Sequence, residues 1–480
     1  MIIGRNKEIS VLEDVVHRDF AQLLLVYGRR RVGKTYLINE FFANTFDFKF
    51  CGSFRKPMQT QLNNFASEFE RYTGKYISKI SNWSQAFNCL RDYIDQFPAN
   101  KKVIIFFDEM PWMDTQKSDF MSSFEYFWNS YGQSKNNLVF IACGSDSSWL
   151  VRKIKSNKGG LYNRKTAEIH LLPFNLHNTE LFLLNKGIKW SRFTITKLYM
   201  VLGGIPYYLN FLKPSLNLNE NIDDLLFNPT GQLVNEYDDL YSTILKRDED
   251  CNRILEILSE HPYGLTKSEL SDLLGKKFNG DLTNKISLLI DCGIIGLLPS
   301  YKENRKVKIM IIVDSFINFY LKFMRKNQNL NIHYWSQLVQ NHQRITREAL
   351  MFEKICFFHL EHIKEYLRIG IASEVFNWKV IGDAYRKGCQ IDIVLDRQER
   401  IVNLFEVKFT DEEFVIDKEY SENLANKISC FKEVTKTKKD IQLVFISANG
   451  VAKSIYYEYS YRNVPLDALF EDEQIIYYFK

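Results

Sequence analysis

Apolar residues fall into two rhythms along this chain. Five short stretches are apolar with little interruption: AQLLLVY (21–27), FDFKFCGSF (46–54), KKVIIFFDE (101–109), LVFIACGS (138–145) and TAEIHLLPF (166–174). Strands covered by helices on both faces, as in a parallel sheet, read this way. Helical spacing takes over in TYLINEFFAN (35–44) and again in CNRILEILSEH (251–261), GLTKSELSDLLG (264–275) and DLTNKISLLIDCGII (281–295). In the second of these last three, Thr266 with Glu269 three residues on forms a capping box. Asp281 is the expected cap of the third. LLPSYKENRKVKIMIIVD (297–314) then reads as a β-hairpin. Further on, QIDIVLD and IVNLFEVKF are two strands joined by the polar turn DRQER, and MFEKICFFHL (351–360) is a helix preceding them. The pattern predicts an α/β protein whose first part holds a parallel sheet, followed by a small helical module with a hairpin and a mixed α/β region.

The first stretch leads straight into GRRRVGKT (28–35) and then a helix. Strand, glycine-rich loop and helix aim backbone N–H groups and a helix N-terminus at phosphate. Gly28 and Gly33 permit the tight wrap around Arg29, Arg30, Arg31 and Val32, Lys34 would reach the β- and γ-phosphates of ATP, and the Thr35 hydroxyl would hold Mg²⁺. The three arginines are read either as phosphate contacts or as solvated loop charges. The strand ending at 109 supplies two carboxylates: Asp108 for the Mg²⁺ shell and Glu109 to polarise the attacking water. Ser145, at the tip of LVFIACGS, is read as a γ-phosphate sensor or as a simple turn serine.

Three helices and a hairpin over 246–325 make a winged helix, a helix-turn-helix variant. Lys285 on the third helix and Lys302, Arg305, Lys306 and Lys308 in or near the wing form a candidate phosphate-contacting face for DNA. The other reading is a module that only packs against the rest of the chain or a partner. In the last third, Asp392 and Glu406 are separated by thirteen residues across a hairpin, and Lys408 shares a strand face with Glu406. Two carboxylates and a lysine at one sheet edge can hold a divalent metal that activates water against a phosphodiester. His359 and His362 lie three apart on one predicted helix, with no added acid or thiol, and are read as packing histidines.

Composition narrows the picture without redirecting it. At 480 residues the chain has room for about three domains of ordinary size. The net charge of +5 is too small to declare nucleic-acid binding and does not oppose it. Eight cysteines without a CxxC pair suit buried reduced thiols in a cytoplasmic protein. No run approaches the roughly 20 apolar residues of a membrane span, so no membrane partner is expected.

GRNKEI (4–9), YGRRRVGKT, FFDE, ACGS, LYNRKTAEIHLLPF (161–174) and LGGIPYYL (202–209) resemble, in that order, a P-loop ATPase family of archaea and many bacteria, on the AAA+-like, STAND-related branch. The resemblance covers about residues 1–245. It implies that Gly4 and Arg5 lie near the adenine, that GGIP belongs to a helical lid, and that Arg164 completes a neighbouring copy's site. Asn163 stands where relatives often carry Gly. The segment 335–480 resembles the PD-(D/E)XK restriction-endonuclease-like core, which implies metal binding at Asp392 and Glu406, with Glu353 adding a carboxylate. The expected order is therefore P-loop ATPase with a helical lid, winged helix, then restriction-endonuclease-like domain. Two functions compete: an ATPase coupled to DNA binding or metal-dependent DNA cleavage, and a STAND-like switch whose last domain binds a partner or nucleic acid without cutting it. A homo-oligomer or a protein partner is compatible with either.

Overall fold

The computed structural model describes residues 2–472, apart from 78, 146, 151–152, 155–160, 162–163, 245–247, 302–306, 326–330, 371, 381, 383–387 and 459–460. The chain divides after Pro173 into two compact units, Met1–Pro173 and Phe174–Lys480. The expected boundary near 245 falls inside the second unit, because the segment carrying LGGIPYYL groups with the residues after it.

The first unit is built on five parallel strands: β1 (Gln22–Tyr27), β2 (Phe48–Cys51), β3 (Val103–Asp108), β4 (Leu138–Gly144) and β5 (Ala167–His170). Their order in the sheet is 2-3-4-1-5. Every residue of β1, β3 and β4 is buried, which is why their sequences are apolar runs. Phe50, Phe65, Trp83, Phe107 and Phe140 are among the residues filling one core cluster. The order has a consequence for chemistry: β4 lies between β1 and β3. The tip of β4 therefore separates the loop after β1 from the acids ending β3.

In the second unit, helices Glu249–Glu260, Lys267–Leu274 and Gly280–Asp291 precede an antiparallel hairpin of β6 (Ile295–Pro299) and β7 (Lys308–Ile312). The Thr266–Glu269 capping box forms as read from the sequence. The third helix starts earlier than expected, and its cap is Asn279, whose side chain accepts from the Leu282 N–H. Asp281 instead lies inside the first turn, where a carboxylate suits the positive end of the helix.

The rest of this unit centres on a second five-stranded sheet. Its strands are β8 (Ser373–Val380), β9 (Cys389–Arg397), β10 (Ile401–Lys408), β12 (Asp440–Ser447) and β14 (Arg462–Pro465), in the order 14-12-10-9-8. Two short strands, β11 (Phe414–Val415) and β13 (Val451–Ala452), pair separately. β8, β9 and β10 run antiparallel, whereas β12 and β14 are parallel to β10. Helix His342–Phe358 packs on β9 and β10, with the Phe352 and Phe409 rings 4.9 Å apart. Helix Lys418–Thr435 packs on β9 and adds Leu424 and Phe431 to a core with Trp378 and Phe445.

His359 and His362 are both buried. His359 Nδ1 lies 2.8 Å from the Ile355 carbonyl, and its Nε2 accepts the Leu176 N–H at 3.3 Å. His362 Nε2 lies 3.1 Å from the Glu471 carbonyl oxygen. They are packing residues. All eight cysteines are free. Among the described residues no helix is long and apolar enough to cross a membrane.

Candidate functional site

The loop after β1 is a cradle because of its glycines. Gly28 has φ +150°, and a Cβ there would lie 2.1 Å from the Leu171 carbonyl oxygen, so no other residue fits. Gly33, at φ +91°, begins helix Lys34–Phe41 in a left-handed conformation with open space where a side chain would stand. No side chain caps that helix, so its first N–H groups keep their capacity for an anion. Lys34 is buried, and its ammonium donates to the carbonyls of Gly28 and Arg29, both at 2.9 Å. Burial pulls Lys34 below the usual lysine range, and the charges of Glu109 and Asp108 oppose that pull. A buried cation hydrogen-bonded to carbonyls of its own loop is suited to a phosphate.

The acids of β3 meet this loop from across β4. The Thr35 hydroxyl donates to Asp108 Oδ2 at 2.8 Å, and the Glu109 N–H donates to Asp108 Oδ1 at 3.0 Å. Glu109 has a left-handed backbone, φ 46°, which turns the chain at the end of the strand. Ser145 binds Glu109 Oε2 twice, through its backbone N–H at 3.0 Å and its hydroxyl at 2.8 Å. Burial raises the Glu109 carboxyl above the ordinary range, while Lys34 and the two Ser145 donors pull the other way. The oxygens of Thr35 and Asp108 form a hard donor pair of the kind Mg²⁺ takes.

The remaining residues read from the sequence surround this core. Buried Arg5 donates to the Val32 carbonyl at 3.3 Å and pairs with Glu8 at 3.5 Å, so it ties the N-terminal segment to the loop. Gly4 beside it has φ 62°. Arg29, Arg30 and Arg31 are half-buried, and Arg30 lies 5.9 Å from the centre of the Trp112 ring. Arg164 is exposed ahead of β5, and Asn163 lies outside the described residues. Gln61 carried no signal in the sequence, yet it is fully buried and donates to the carbonyls of Ser53 at 2.6 Å and Trp112 at 3.0 Å. It pins the segment after Glu109 to the segment after β2.

The second unit holds the other candidate residues. Phe376 faces Val394 and Trp378 faces Ile391, so β9 carries an extra residue around Asp392. Such a bulge re-aims a side chain. Asp392 Oδ2 accepts the Val407 N–H at 2.8 Å. Glu406 is fully buried: Oε1 accepts from Lys427 Nζ at 2.5 Å and Oε2 from the Tyr420 hydroxyl at 2.7 Å. Lys408 Nζ lies 3.7 Å from Glu406 Oε2 and above the Tyr420 ring, 4.7 Å from its centre. Burial, then the charge of Glu406, pushes Asp392 up to about 6. Burial, then Asp392, holds Glu353 well above the carboxylate range.

Glu353, Asp392, Glu406 and Lys408 are thus electrostatic neighbours. The sequence reading missed Tyr420 and Lys427, although their spacing of seven places them on one face of a helix. Among the described residues no group of three or more His, Cys, Asp and Glu is placed to hold a metal ion.

Lys285 does not stand open to phosphate. It pairs with Asp248 at 3.1 Å, Asp250 at 2.8 Å and Asp281 at 3.0 Å, three carboxylates that would repel a nucleic-acid backbone. Hydrogen bonding, to Asp250 above all, raises it beyond the usual lysine range. Lys308 is exposed at the start of β7, and Lys302, Arg305 and Lys306 lie outside the described residues.

Residues 2–212 match a family described as an ATPase domain predominantly from Archaea. An uncharacterized protein of Methanocaldococcus jannaschii is 25% identical over 422 residues, 86% of this chain and 88% of that one. An uncharacterized ATP-binding protein of the same organism is 46% identical over 44 residues, 9% of this chain and 75% of its own length. Among solved structures, a Walker-type ATPase of Pyrococcus abyssi matches with a TM-score of 0.45 and 19% identity, over 67% of this chain and 96% of that one.

Proposed function

We propose that this chain, whose N-terminal domain is a P-loop ATPase domain, binds and hydrolyses ATP with the residues around Lys34 and uses the nucleotide state to govern the binding of its second unit to DNA. The observation that carries the nucleotide part is the meeting of three elements: Thr35 on Asp108, and Glu109 on Ser145. The loop N–H groups would take the phosphate oxygens. Lys34 would exchange its two carbonyl partners for the β- and γ-phosphates. Thr35 and Asp108 would hold Mg²⁺, which when bound offsets phosphate charge. Glu109 would accept a proton from the attacking water, and Ser145 would position that carboxylate. Arg164, exposed before β5, would complete the site of a second copy.

The DNA part rests on the sequence of elements. Three helices followed by a hairpin support a winged helix over 246–325, with Lys302, Arg305, Lys306 and Lys308 as its phosphate-binding residues. The involvement of Lys285 is dropped, since its charge is already compensated. The order helix His342–Phe358, β8, β9, β10, helix Lys418–Thr435, β12 supports a restriction-endonuclease-like core.

Metal-dependent cleavage is the second reading, favoured by Asp392 and Glu406 sharing a charge environment with Lys408. As built, however, the donor set does not fit a divalent ion, because Glu406 gives both oxygens to Lys427 and Tyr420. The binding role is therefore the better account of this domain.

The experiment is phosphate release from ATP together with fluorescence-anisotropy titration of duplex DNA at several salt concentrations. ATP should be hydrolysed. DNA affinity should change between ATP and ADP. Replacing Arg305, Lys306 and Lys308 with Ala should flatten the salt dependence by about one unit for each phosphate no longer neutralised. Hydrolysis with no DNA binding under any nucleotide would leave the ATPase and remove the DNA assignment.

A further inference from the structure

A cavity of about 320 Å³ opens in the second unit between the end of helix Glu249–Glu260, the segment 315–324 and helix His342–Phe358. Three cations stand in its polar lining. Arg347, Lys354 and Lys322 line it together with one carboxylate, Glu260. Phe323, Leu350 and Met351 supply apolar walls.

Two of the cations are buried with no carboxylate hydrogen-bonded to them among the described residues. Arg347 is 5% exposed. Its Nε donates to Asn318 Oδ1 at 3.0 Å, and its Nη2 donates to the carbonyls of Met200 at 2.9 Å and Ser315 at 3.2 Å. Those bonds fix the guanidinium plane and leave Nη1, which is buried and has no hydrogen-bond partner among the described residues. Lys354 is 7% exposed, and its ammonium makes one hydrogen bond among the described residues, to the Ile312 carbonyl at 3.0 Å. An ammonium has three donors, so two are left over. Burial pulls Arg347 down to about 9. A buried, oriented donor with no partner is costly to keep, and an anion is the ligand that satisfies it.

We propose that this cavity is a binding site for a small organic phosphate, separate from the P-loop. The phosphate would sit against the Arg347 and Lys354 side chains that line the cavity. The organic part would lie on Phe323, Leu350 and Met351. The volume is at the small end of ligand pockets, which begin at about 300 Å³, and this suits a sugar phosphate or a mononucleotide. The site joins the helix Glu249–Glu260 of the three-helix module to the helix that carries Glu353, so occupancy would tie those two elements together.

The test uses the full chain with Lys34→Ala, which removes phosphate binding at the loop. Inorganic phosphate, ribose 5-phosphate and AMP are titrated by calorimetry at low salt, with ribose and adenosine as uncharged controls. At least one phosphate should bind saturably and both controls should not; the three arms tell whether the anion alone, the sugar or the base sets affinity. Arg347→Met should weaken binding at least tenfold. Because Arg347 also bonds three neighbours, Thr346→Glu is the second variant: Thr346 is an exposed lining residue, so a carboxylate there repels the ligand without touching the buried network. It too should cost at least tenfold. The proposal is overturned if none of the three phosphates binds saturably, if adenosine binds as well as AMP, or if Thr346→Glu binds as tightly as its parent.

Discussion

The Thr35 hydroxyl donates to Asp108 Oδ2 at 2.8 Å, although the two residues are 73 positions apart in the chain. The bond spans the gap between β1 and β3 at the position where the nucleotide's metal would be held. Thr35→Val keeps the shape of the side chain and removes the oxygen. Losing one charge-assisted bond of about 2 kcal/mol corresponds to roughly thirtyfold. ATP affinity in Mg²⁺, measured with a fluorescent analogue, should fall by that order, whereas Thr35→Ser should stay close to wild type. Equal affinity for the Val and Ser variants would show that the hydroxyl holds nothing.

Ser145 and Glu109 make a prediction about pH. Burial already raises the Glu109 carboxyl, and the Ser145 donors restrain that rise because they favour the ionised form. Ser145→Ala removes one donor, so Glu109 should titrate at higher pH. A general base works when deprotonated, and the acidic limb of the ATP hydrolysis profile should move to higher pH. A limb that stays in place, at whatever rate, would mean that Glu109 does not control it.

Stability should fall in mild acid because of His359. Burial lowers this imidazole to about 3, against 6.5 for an unperturbed histidine. The unfolded chain takes up a proton below about 6.5 that the folded chain refuses, so stability is full above that pH and declines as pH drops towards the folded value. From pH 7 to pH 5 one such group costs about 2 kcal/mol. Urea midpoints across that range should show the decline, and His359→Gln should flatten it. Parallel curves for the two proteins would locate the acid sensitivity elsewhere.

At the second sheet, Lys427 competes for the carboxylate a metal would need. Lys427→Met should raise Mn²⁺ affinity, followed by paramagnetic resonance in the Lys34→Ala background, by about tenfold, since ligand charge count sets the affinity of oxygen sites. No gain would mean that the ammonium is not what keeps Glu406 from an ion.

Much of the first unit was legible in the sequence because a parallel sheet leaves a plain mark. β1, β3 and β4 are buried on both faces, and each reads as an apolar run, with Gln22 opening β1 and Asp108 closing β3. The loop glycines were legible for a similar reason: Gly28 packs against Leu171 so closely that composition and geometry are the same fact. The capping box at Thr266 is local and was read correctly, whereas the cap two residues ahead of Asp281 was not, since Asn and Asp are near-equal caps. Pairing across the fold stayed hidden. Nothing near Lys285 in sequence betrays Asp248 and Asp250, and nothing near Glu406 announces Lys427. Charge on an amphipathic face looks solvated until tertiary structure supplies its partner. Arg347 is the extreme case, an arginine at a helical position that the fold buries.

The most direct measurement is single-turnover ATP hydrolysis by Glu109→Gln beside Lys34→Ala. Gln keeps the size of Glu109 and can still meet Ser145, but it cannot accept a proton from water. Glu109→Gln should bind ATP as wild type does and hydrolyse it on the order of 10²-fold more slowly. Lys34→Ala should lose ATP binding itself. A Glu109→Gln protein that turns over ATP at the wild-type rate would contradict the account, because the carboxylate that Ser145 holds would then have no part in the chemistry.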